Sequence, residues 1–170
     1  MRSRLGISAG VLAIVVIAVL ALGPAVAAAH SGGKKTLRLV ATQDQSESLD
    51  LGSPGPSLGD ELVFSEVLRE RGREVGTSGV VCTVTSVEVP YEVLTYNCVA
   101  TLSLRRGQIT LQALIEVQGA DDMGPWDIAI TGGTGAYRTA GGDGTYRQLS
   151  ETRAVYKLRL DSGNKKKHRR

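Results

Sequence analysis

The chain has 170 residues, a formal net charge of +3, 21 glycines, two cysteines and two histidines. Its length predicts one domain or two very small ones. Seven of the 20 basic residues lie before the first apolar run or in the last six positions. Residues 30–164 therefore hold 13 basic and 17 acidic residues and have a net charge of −4. An acidic body disfavours nucleic-acid binding through the fold. Two histidines leave little material for a multi-histidine metal site or a Ser-His-Asp site.

The first 29 residues have the pattern of an export signal. Residues 1–4 are basic, residues 5–22 are apolar apart from Ser8, and residues 25–29 offer small side chains for cleavage. We expect cleavage near Ala29 and a secreted or extracytoplasmic protein. A retained membrane anchor is the alternative, because the apolar run is nearly long enough to span a bilayer. Residues 30–35 would then be a flexible lead-in.

Short segments of alternating apolar residues, separated by turn residues, predict about eight strands after the signal. A loop is expected over residues 42–60, which are rich in Ser, Asp, Gly and Pro. The expected strands are residues 36–41, 61–69, 80–89, 93–104, 109–117, 126–130, 145–149 and 152–160. No apolar stripe of helical period follows Leu22, so the expected class is all-β, either a closed barrel or a sandwich. The barrel domain is expected over residues 36–160, and residues 161–170 form a basic tail.

Cys82 and Cys98 are predicted to form a disulfide. Export would place them in an oxidising compartment, where pairing is the default, and two buried free thiols are the alternative. The two cysteines face each other if the chain folds as a hairpin that turns near Pro90. The other facing pairs would then be Val84 with Tyr96, Thr85 with Thr95, and Val87 with Val93.

Four segments occur in an order that is typical of one barrel family. They are residues 59–65 (GDELVFS), 76–83 (GTSGVVCT), 108–112 (QITLQ) and 128–138 (IAITGGTGAYR). The series resembles the allene oxide cyclase-like barrel family, its bacterial secreted members most, and the related plant dirigent proteins. The resemblance implies an eight-stranded antiparallel, calycin-type β-barrel with an apolar cavity, often assembled as a homo-trimer. It also implies that the barrel binds a small, mostly apolar, reactive intermediate and directs its cyclisation or coupling without a cofactor or a metal.

Glu66 is a candidate general acid whose role depends on which face of its strand points inward. Phe64 and Glu66 share one face, whereas Val63, Ser65 and Val67 share the other. With the first face inward, Glu66 is a carboxyl group in an apolar cavity, and burial raises its pKa into a range that suits general-acid catalysis. With the second face inward, Glu66 is a solvated charge. The second face is the more apolar, so the alternation favours the solvated position.

Tyr96 and Arg138 are the other candidate catalytic residues. Tyr96 lies on the cysteine face of its strand, which we expect to point inward, so its hydroxyl needs a partner from protein or ligand. Arg138 lies where the family has an aromatic-arginine pair, and at a barrel mouth it would stabilise developing negative charge. A rim ion pair is the alternative for Arg138. The glycines at 132–135 are interpreted as a barrel corner, because a dinucleotide fingerprint would require glycine at position 138.

The leading hypothesis is a cofactor-free isomerase or cyclisation-directing barrel that uses Glu66, Tyr96 and Arg138. A non-catalytic carrier of a small apolar ligand and a cell-envelope interaction protein are the alternatives. An enzyme needs an ionisable group inside the barrel, a carrier can be apolar throughout, and an interaction protein can have a filled barrel. The basic tail is expected to be disordered, and either to touch anionic envelope polymers or lipid or to be a solvated terminus.

Overall fold

The structure, a computed structural model, describes residues 35–88, 93–119 and 121–161. In these ranges eight strands form a closed antiparallel barrel in sequence order, and the first strand pairs with the last. The strands are β1 (Lys35–Leu49), β2 (Glu61–Glu70), β3 (Arg73–Glu88), β4 (Val93–Leu104), β5 (Gly107–Gln118), β6 (Trp126–Gly133), β7 (Gly142–Ser150) and β8 (Arg153–Leu160), with a 3-10 helix at Gly135–Tyr137. The predicted all-β, eight-stranded antiparallel barrel is confirmed.

Several predictions fall on residues outside the described ranges. They are the export signal, the lead-in up to residue 34 and the basic tail from residue 162, and they stay predictions. Among the described residues, no helix has the length and apolar character needed to cross a membrane.

The barrel interior is built by the alternation of each strand, because successive side chains point to opposite faces of a sheet. On β1 the buried residues are Leu37, Leu39 and Ala41, and on β8 they include Ala154, Tyr156 and Leu158. The other strands contribute the same alternating set, and these side chains pack into one continuous core. Burial of this apolar surface is the main force that closes the sheet.

β1 is longer than the sequence indicated. The loop expected over residues 42–60 is wrong for residues 42–49, which continue β1 and pair with β2 down to Leu49 opposite Glu61. This part of β1 is mostly polar and exposed, so it has no apolar alternation to reveal it. Its ladder depends on backbone hydrogen bonds, which do not require apolar side chains. An irregularity between Gln43 and Gln45 shifts the register.

The cysteine hairpin has the predicted centre and one difference. Cys82 lies opposite Cys98, the two form a disulfide, and Val84 lies opposite Tyr96. The disulfide prediction is therefore confirmed. A bulge between Val84 and Ser86 then shifts the register by one residue. The predicted pairs beyond it are wrong: Ser86 rather than Thr85 lies opposite Thr95, and Leu94 rather than Val93 lies opposite Val87.

The two ends of the barrel differ, and we call them the closed end and the open end. The closed end is filled by large side chains with almost no exposure: Leu39, Leu68, Leu102, Ile109 and Leu158. The 3-10 helix covers it, because the backbone N–H of Ala136 donates to the carbonyl of Arg106 at 2.8 Å in the β4–β5 turn. Gly135 has φ +57°, and a side chain there would collide with that same carbonyl. This confirms the interpretation of the glycine segment as a corner.

The open end lies at the opposite tips of the same strands. It is bordered by the β7–β8 turn, by the segment between β5 and β6, and by the loop between β1 and β2. The carboxylate of Asp60 holds that loop together by accepting hydrogen bonds from the backbone of Leu51 and from Ser57. These bonds lower the pKa of Asp60. In the described ranges, these connections border an entrance to the barrel.

Candidate functional site

A pocket of about 250 Å³ enters the barrel from the open end, and we call it the mouth pocket. Its deeper wall includes Phe64, Glu66, Tyr96, Trp126, Tyr146 and the disulfide Cys82–Cys98. Its rim includes Gln43, Gln148 and Arg153. The volume lies just below the usual range for drug-sized ligands, so the pocket suits a small molecule.

Glu66 points into the barrel and lines the mouth pocket. The residue is only 3% exposed. Its Oε2 atom accepts a hydrogen bond from Ser78 Oγ at 2.5 Å and another from Tyr156 Oη at 2.8 Å. Ser78 is the cross-strand partner of Glu66 on β3, whereas Tyr156 arrives from β8, 90 positions along the chain. The closed barrel is therefore what brings these three groups together.

Burial raises the pKa of the Glu66 carboxyl above its ordinary value. The hydrogen bonds from Ser78, Tyr156 and Tyr146 oppose this rise, because they favour the ionised form, but desolvation has the larger effect. The same burial, together with the nearby carboxylate, raises the pKa of Tyr146 and Tyr156, so both phenols keep their protons. Because both phenols keep their protons, Glu66 is the group of this cluster that is best suited to exchange a proton with a ligand.

Three aromatic rings form a continuous wall beside Glu66. The rings of Trp126 and Tyr146 are stacked with centroids 6.1 Å apart, and those of Tyr146 and Tyr156 are tilted with centroids 4.9 Å apart. The indole N–H of Trp126 donates to the carbonyl of Glu116 at 3.0 Å, which fixes the ring. A wall of this kind favours a ligand with a flat or unsaturated apolar part.

The predicted site residues do not all meet. Glu66 and Tyr96 both line the mouth pocket. Tyr96 is partly buried, and desolvation, followed by the charge of Asp60, raises its pKa. Arg138 is exposed and follows the 3-10 helix at the closed end, so it does not line this pocket. The expectation of Arg138 at the barrel mouth failed because its corner packs on the β4–β5 turn, at the far tips of the strands.

The alternation along β2 favoured the wrong face. The interior face is the one that carries Phe64, Glu66 and Leu68. The apolar residues on the other side of the strand, Val63 and Val67, face outward. Both faces of β2 are largely apolar, so alternation alone could not distinguish them.

Sequence reasoning also missed Ser78, Tyr146, Tyr156 and Trp126 as site residues. One signal was present for Ser78. It lies four positions before Cys82 and so shares the inward cysteine face, and a tight turn at residues 71–72 places it opposite Glu66. No local pattern links Glu66 to β7 or β8, because those contacts depend on closure of the barrel.

Among the residues that the structure describes, no three His, Cys, Asp or Glu side chains are grouped in a way that would hold a metal ion. The prediction of a site without metal or organic cofactor stays a prediction.

The fold and the site define a class: a small closed barrel with one filled end and a pocket that holds a buried acid. The sequence comparison makes the class specific. Residues 35–160 match the family model described as the allene oxide cyclase barrel-like domain. That range is well over half of the chain, and the chain therefore belongs to the allene oxide cyclase barrel-like family. The resemblance inferred from the sequence is confirmed. No curated protein matches the sequence at a significant level.

Solved structures of several enzymes share the barrel. The structure of a pyocyanin demethylase is 32% identical in sequence to this chain, and the two superpose with a TM-score of 0.66. The match covers 74% of this chain and 99% of the demethylase chain. A nonspecific heme-binding cyclase of neoabyssomicin biosynthesis is 18% identical, with coverage of 78% and 70% and a TM-score of 0.56. The pterocarpan synthase dirigent protein GePTS1 is 18% identical, with coverage of 75% and 83% and a TM-score of 0.51. At 18% identity, the likeness to these last two concerns the fold alone.

Proposed function

We propose that the chain binds a small, largely apolar, reactive molecule in the mouth pocket and directs its cyclisation or coupling, with Glu66 as proton donor and acceptor. The observation that carries this proposal is a buried carboxyl group on the wall of a mainly apolar and aromatic pocket. An apolar interior would suit a carrier, and a filled barrel would suit an interaction protein. A buried ionisable group with a shifted pKa favours a catalytic or directing role.

The proton transfers balance within one isomerisation. Neutral Glu66 gives its proton to an oxygen of the bound intermediate as negative charge develops there. The resulting carboxylate keeps the hydrogen bonds from Ser78 and Tyr156, which stabilise its charge. It then takes a proton back as the rearranged product forms, so no atom is gained or lost. The aromatic wall restricts the geometry of the intermediate.

The experiment that tests this proposal generates an unstable allene oxide in the presence of the protein and analyses the chirality of the cyclised product. We expect an excess of one enantiomer with the natural sequence and a smaller excess with Glu66→Gln. Arg138→Gln is the matched control, because this exposed residue lies away from the pocket. A racemic product formed at the spontaneous rate would reject the cyclase activity.

A second candidate substrate is pyocyanin, because the structure with 32% identity is a pyocyanin demethylase. The aromatic wall of Trp126, Tyr146 and Tyr156 supports an aromatic ligand of this kind. The test incubates the protein with pyocyanin in water and looks by mass spectrometry for a product that lacks one methyl group. Formaldehyde should form with it, because water supplies the oxygen for the released methyl carbon and the phenazine ring takes up the two electrons. Absence of that product, in a preparation that binds pyocyanin, rejects this candidate and leaves the buried acid to be tested with other reactive molecules.

We also propose that the chain forms homo-oligomers, with a trimer as the expected form. The support is a row of exposed apolar residues on the outer face of β3, β4 and β5. Val81 is 40% exposed, its cross-strand neighbour Val99 is 50% exposed, and Leu114 on the next strand is 70% exposed. Such a row favours burial against a second copy. Light scattering should show a multiple of the monomer mass, and Val99→Glu should lower it.

Two further parts of the proposal concern where the protein is located and what its basic tail binds. The disulfide supports an exported protein, because disulfides persist in oxidising compartments. Binding of the basic tail to anionic envelope polymers or lipid stays a prediction from the sequence, since these residues lie outside the described ranges. Detection of the mature protein in the culture medium or cell envelope, with an N-terminus at His30, would test the location.

A further inference from the structure

A second, smaller pocket adjoins the mouth pocket and shares five lining residues with it. It has a volume of about 50 Å³, and we call it the inner chamber. The residues that line it and not the mouth pocket are Val80, Ala100, Leu111, Gln112, Ala113, Ile128 and Tyr156. Nearly all of these side chains are apolar. An apolar chamber of this size stays dry and takes small apolar groups in preference to water.

The disulfide forms part of the wall between the two spaces. Cys82 and Cys98 line both the mouth pocket and the inner chamber, together with Phe64, Ile115 and Tyr146. Because a covalent bond joins the two cysteines, this part of the wall holds its position in the folded barrel. The cysteines therefore shape the pocket in addition to joining β3 to β4.

Tyr156 connects the chamber to the acid. Its hydroxyl donates to Glu66 in the mouth pocket, and its side chain lines the inner chamber. A ligand whose polar group meets Glu66 is therefore positioned to send a substituent past Tyr156 into the chamber. One water-sized group needs roughly 10–15 Å³ of such space, so the chamber has room for about three to five such groups.

We propose that the inner chamber is a subsite for a short unbranched alkyl substituent of the ligand, and that Val80, Ala100 and Leu111, which lie one layer nearer the closed end than the disulfide, set its maximum length. This inference rests on the proposed use of the mouth pocket. Ala113 lies directly opposite Cys98 across the β4–β5 ladder, and Ala100 lies opposite Val80. The small side chains at 100 and 113 are what leave this space open, because larger ones would fill it.

The experiment measures the affinity of a series of probes by calorimetry: phenol and its 4-methyl, 4-ethyl, 4-propyl, 4-butyl and 4-hexyl derivatives. The phenol hydroxyl is the polar group that meets Glu66. We expect the dissociation constant to fall by roughly fourfold for each added methylene until the chamber is full, and then to stop falling. A series that is flat from phenol onward would overturn the inference.

The decisive variants fill the chamber from two different strands. Ala113→Val and Ala100→Val should each remove most of the gain from the alkyl group while phenol itself still binds. Ala129→Val is the matched control, because it makes the same change on the exposed face of β6. If one chamber variant fails to fold, the other carries the test. A gain that survives in both folded variants would overturn the inference.

Xenon binding, followed by nuclear magnetic resonance, is a readout that does not depend on the acid. The natural protein should bind xenon in the chamber, and Ala113→Val should weaken this binding strongly. Absence of xenon binding would overturn the inference. Glu66→Gln should keep both the xenon site and the alkyl gain, so loss of its activity tests the proposed function separately from the chamber.

Discussion

The closed and open ends of the barrel are built by the same strands and differ in what those strands carry. On β2, Leu68 belongs to the closed end and has no exposed surface, whereas Glu66, two positions earlier on the same face, lines the mouth pocket. On β8, Leu158 has no exposed surface, whereas Tyr156, two positions earlier, donates a hydrogen bond to Glu66. Two positions along the same face of a strand therefore separate a residue that packs in the core from a residue that contributes a polar group to the candidate site.

This difference shows how a small barrel can hold a buried acid. Desolvation of a carboxyl group costs free energy, and hydrogen bonds from Ser78 and Tyr156 offset only part of it. The closed end supplies the compensating stability through tightly packed leucine and isoleucine side chains. If this division is correct, substitutions at the closed end should mainly change stability, whereas those near Glu66 should mainly change proton binding.

The largest expected effect is at the closed end. Leu158→Ala removes a side chain with no exposure and leaves a cavity, so it should lower the free energy of unfolding by about 2–5 kcal/mol. Leu62→Ala, at the open end, truncates a residue that is 37% exposed and should cost less than about 1 kcal/mol. Urea denaturation of both variants measures the contrast. Equal losses would show that the two ends do not differ in packing.

The disulfide should have the next largest effect, because it constrains the unfolded chain. Replacing Cys82 and Cys98 by alanine should lower the free energy of unfolding by about 3 kcal/mol, as expected for a loop closed by residues 16 apart. A reducing agent should destabilise the natural protein and leave the double variant unchanged. If reduction has no effect on the natural protein, the disulfide contributes nothing to stability.

The sequence predicted much of the fold and only part of the site. Eight strands, the barrel class and the Cys82–Cys98 pair follow from alternation, turn residues, cysteine context and four ordered motifs. The bulge between Val84 and Ser86 did not follow, because a one-residue insertion in a ladder leaves no mark in a short alternating segment. The polar half of β1 was also hidden, since only backbone pairing defines it.

The site was harder to predict because it depends on closure of the barrel. Glu66 was recognised as a candidate acid, but its inward orientation required a choice between two apolar faces of β2. Its partner Tyr156 lies 90 residues away and becomes a neighbour only when β8 has returned to pair with β1. Arg138 was chosen by resemblance of a local motif, and local sequence does not say at which end of a barrel a corner lies.

A smaller effect should separate the acid from the packing around it. The unfolded chain releases the Glu66 proton near pH 4.5, its ordinary pKa, whereas the folded protein retains it to higher pH. The stability that comes from the higher pKa of Glu66 in the folded protein is therefore fully present below pH 4.5. It is lost as the pH rises through the folded-state pKa. Glu66→Gln cannot ionise, so its stability relative to the natural protein should increase with pH. Urea midpoints across the pH range measure this, and parallel curves would contradict a raised pKa.

The smallest effect should come from Ser78→Ala, which removes one hydrogen bond to Glu66 and leaves the acid in place. When Glu66 is protonated, the loss should be about 1 kcal/mol. The Ser78 hydroxyl favours the ionised form, so without it the pKa of Glu66 should rise further, and the decline of stability should extend to higher pH than in the natural protein.

Ser65→Ala, at the neighbouring position on the outer face of β2, is the matched control and should leave the pH profile unchanged. A profile that moves equally in both variants would mean that Ser78 acts through packing of the strand rather than through the carboxyl group. A shift confined to Ser78→Ala would show that Ser78 is a positioning residue for the acid. It would also show that the groups that set the pKa of Glu66 lie at the open end of the barrel.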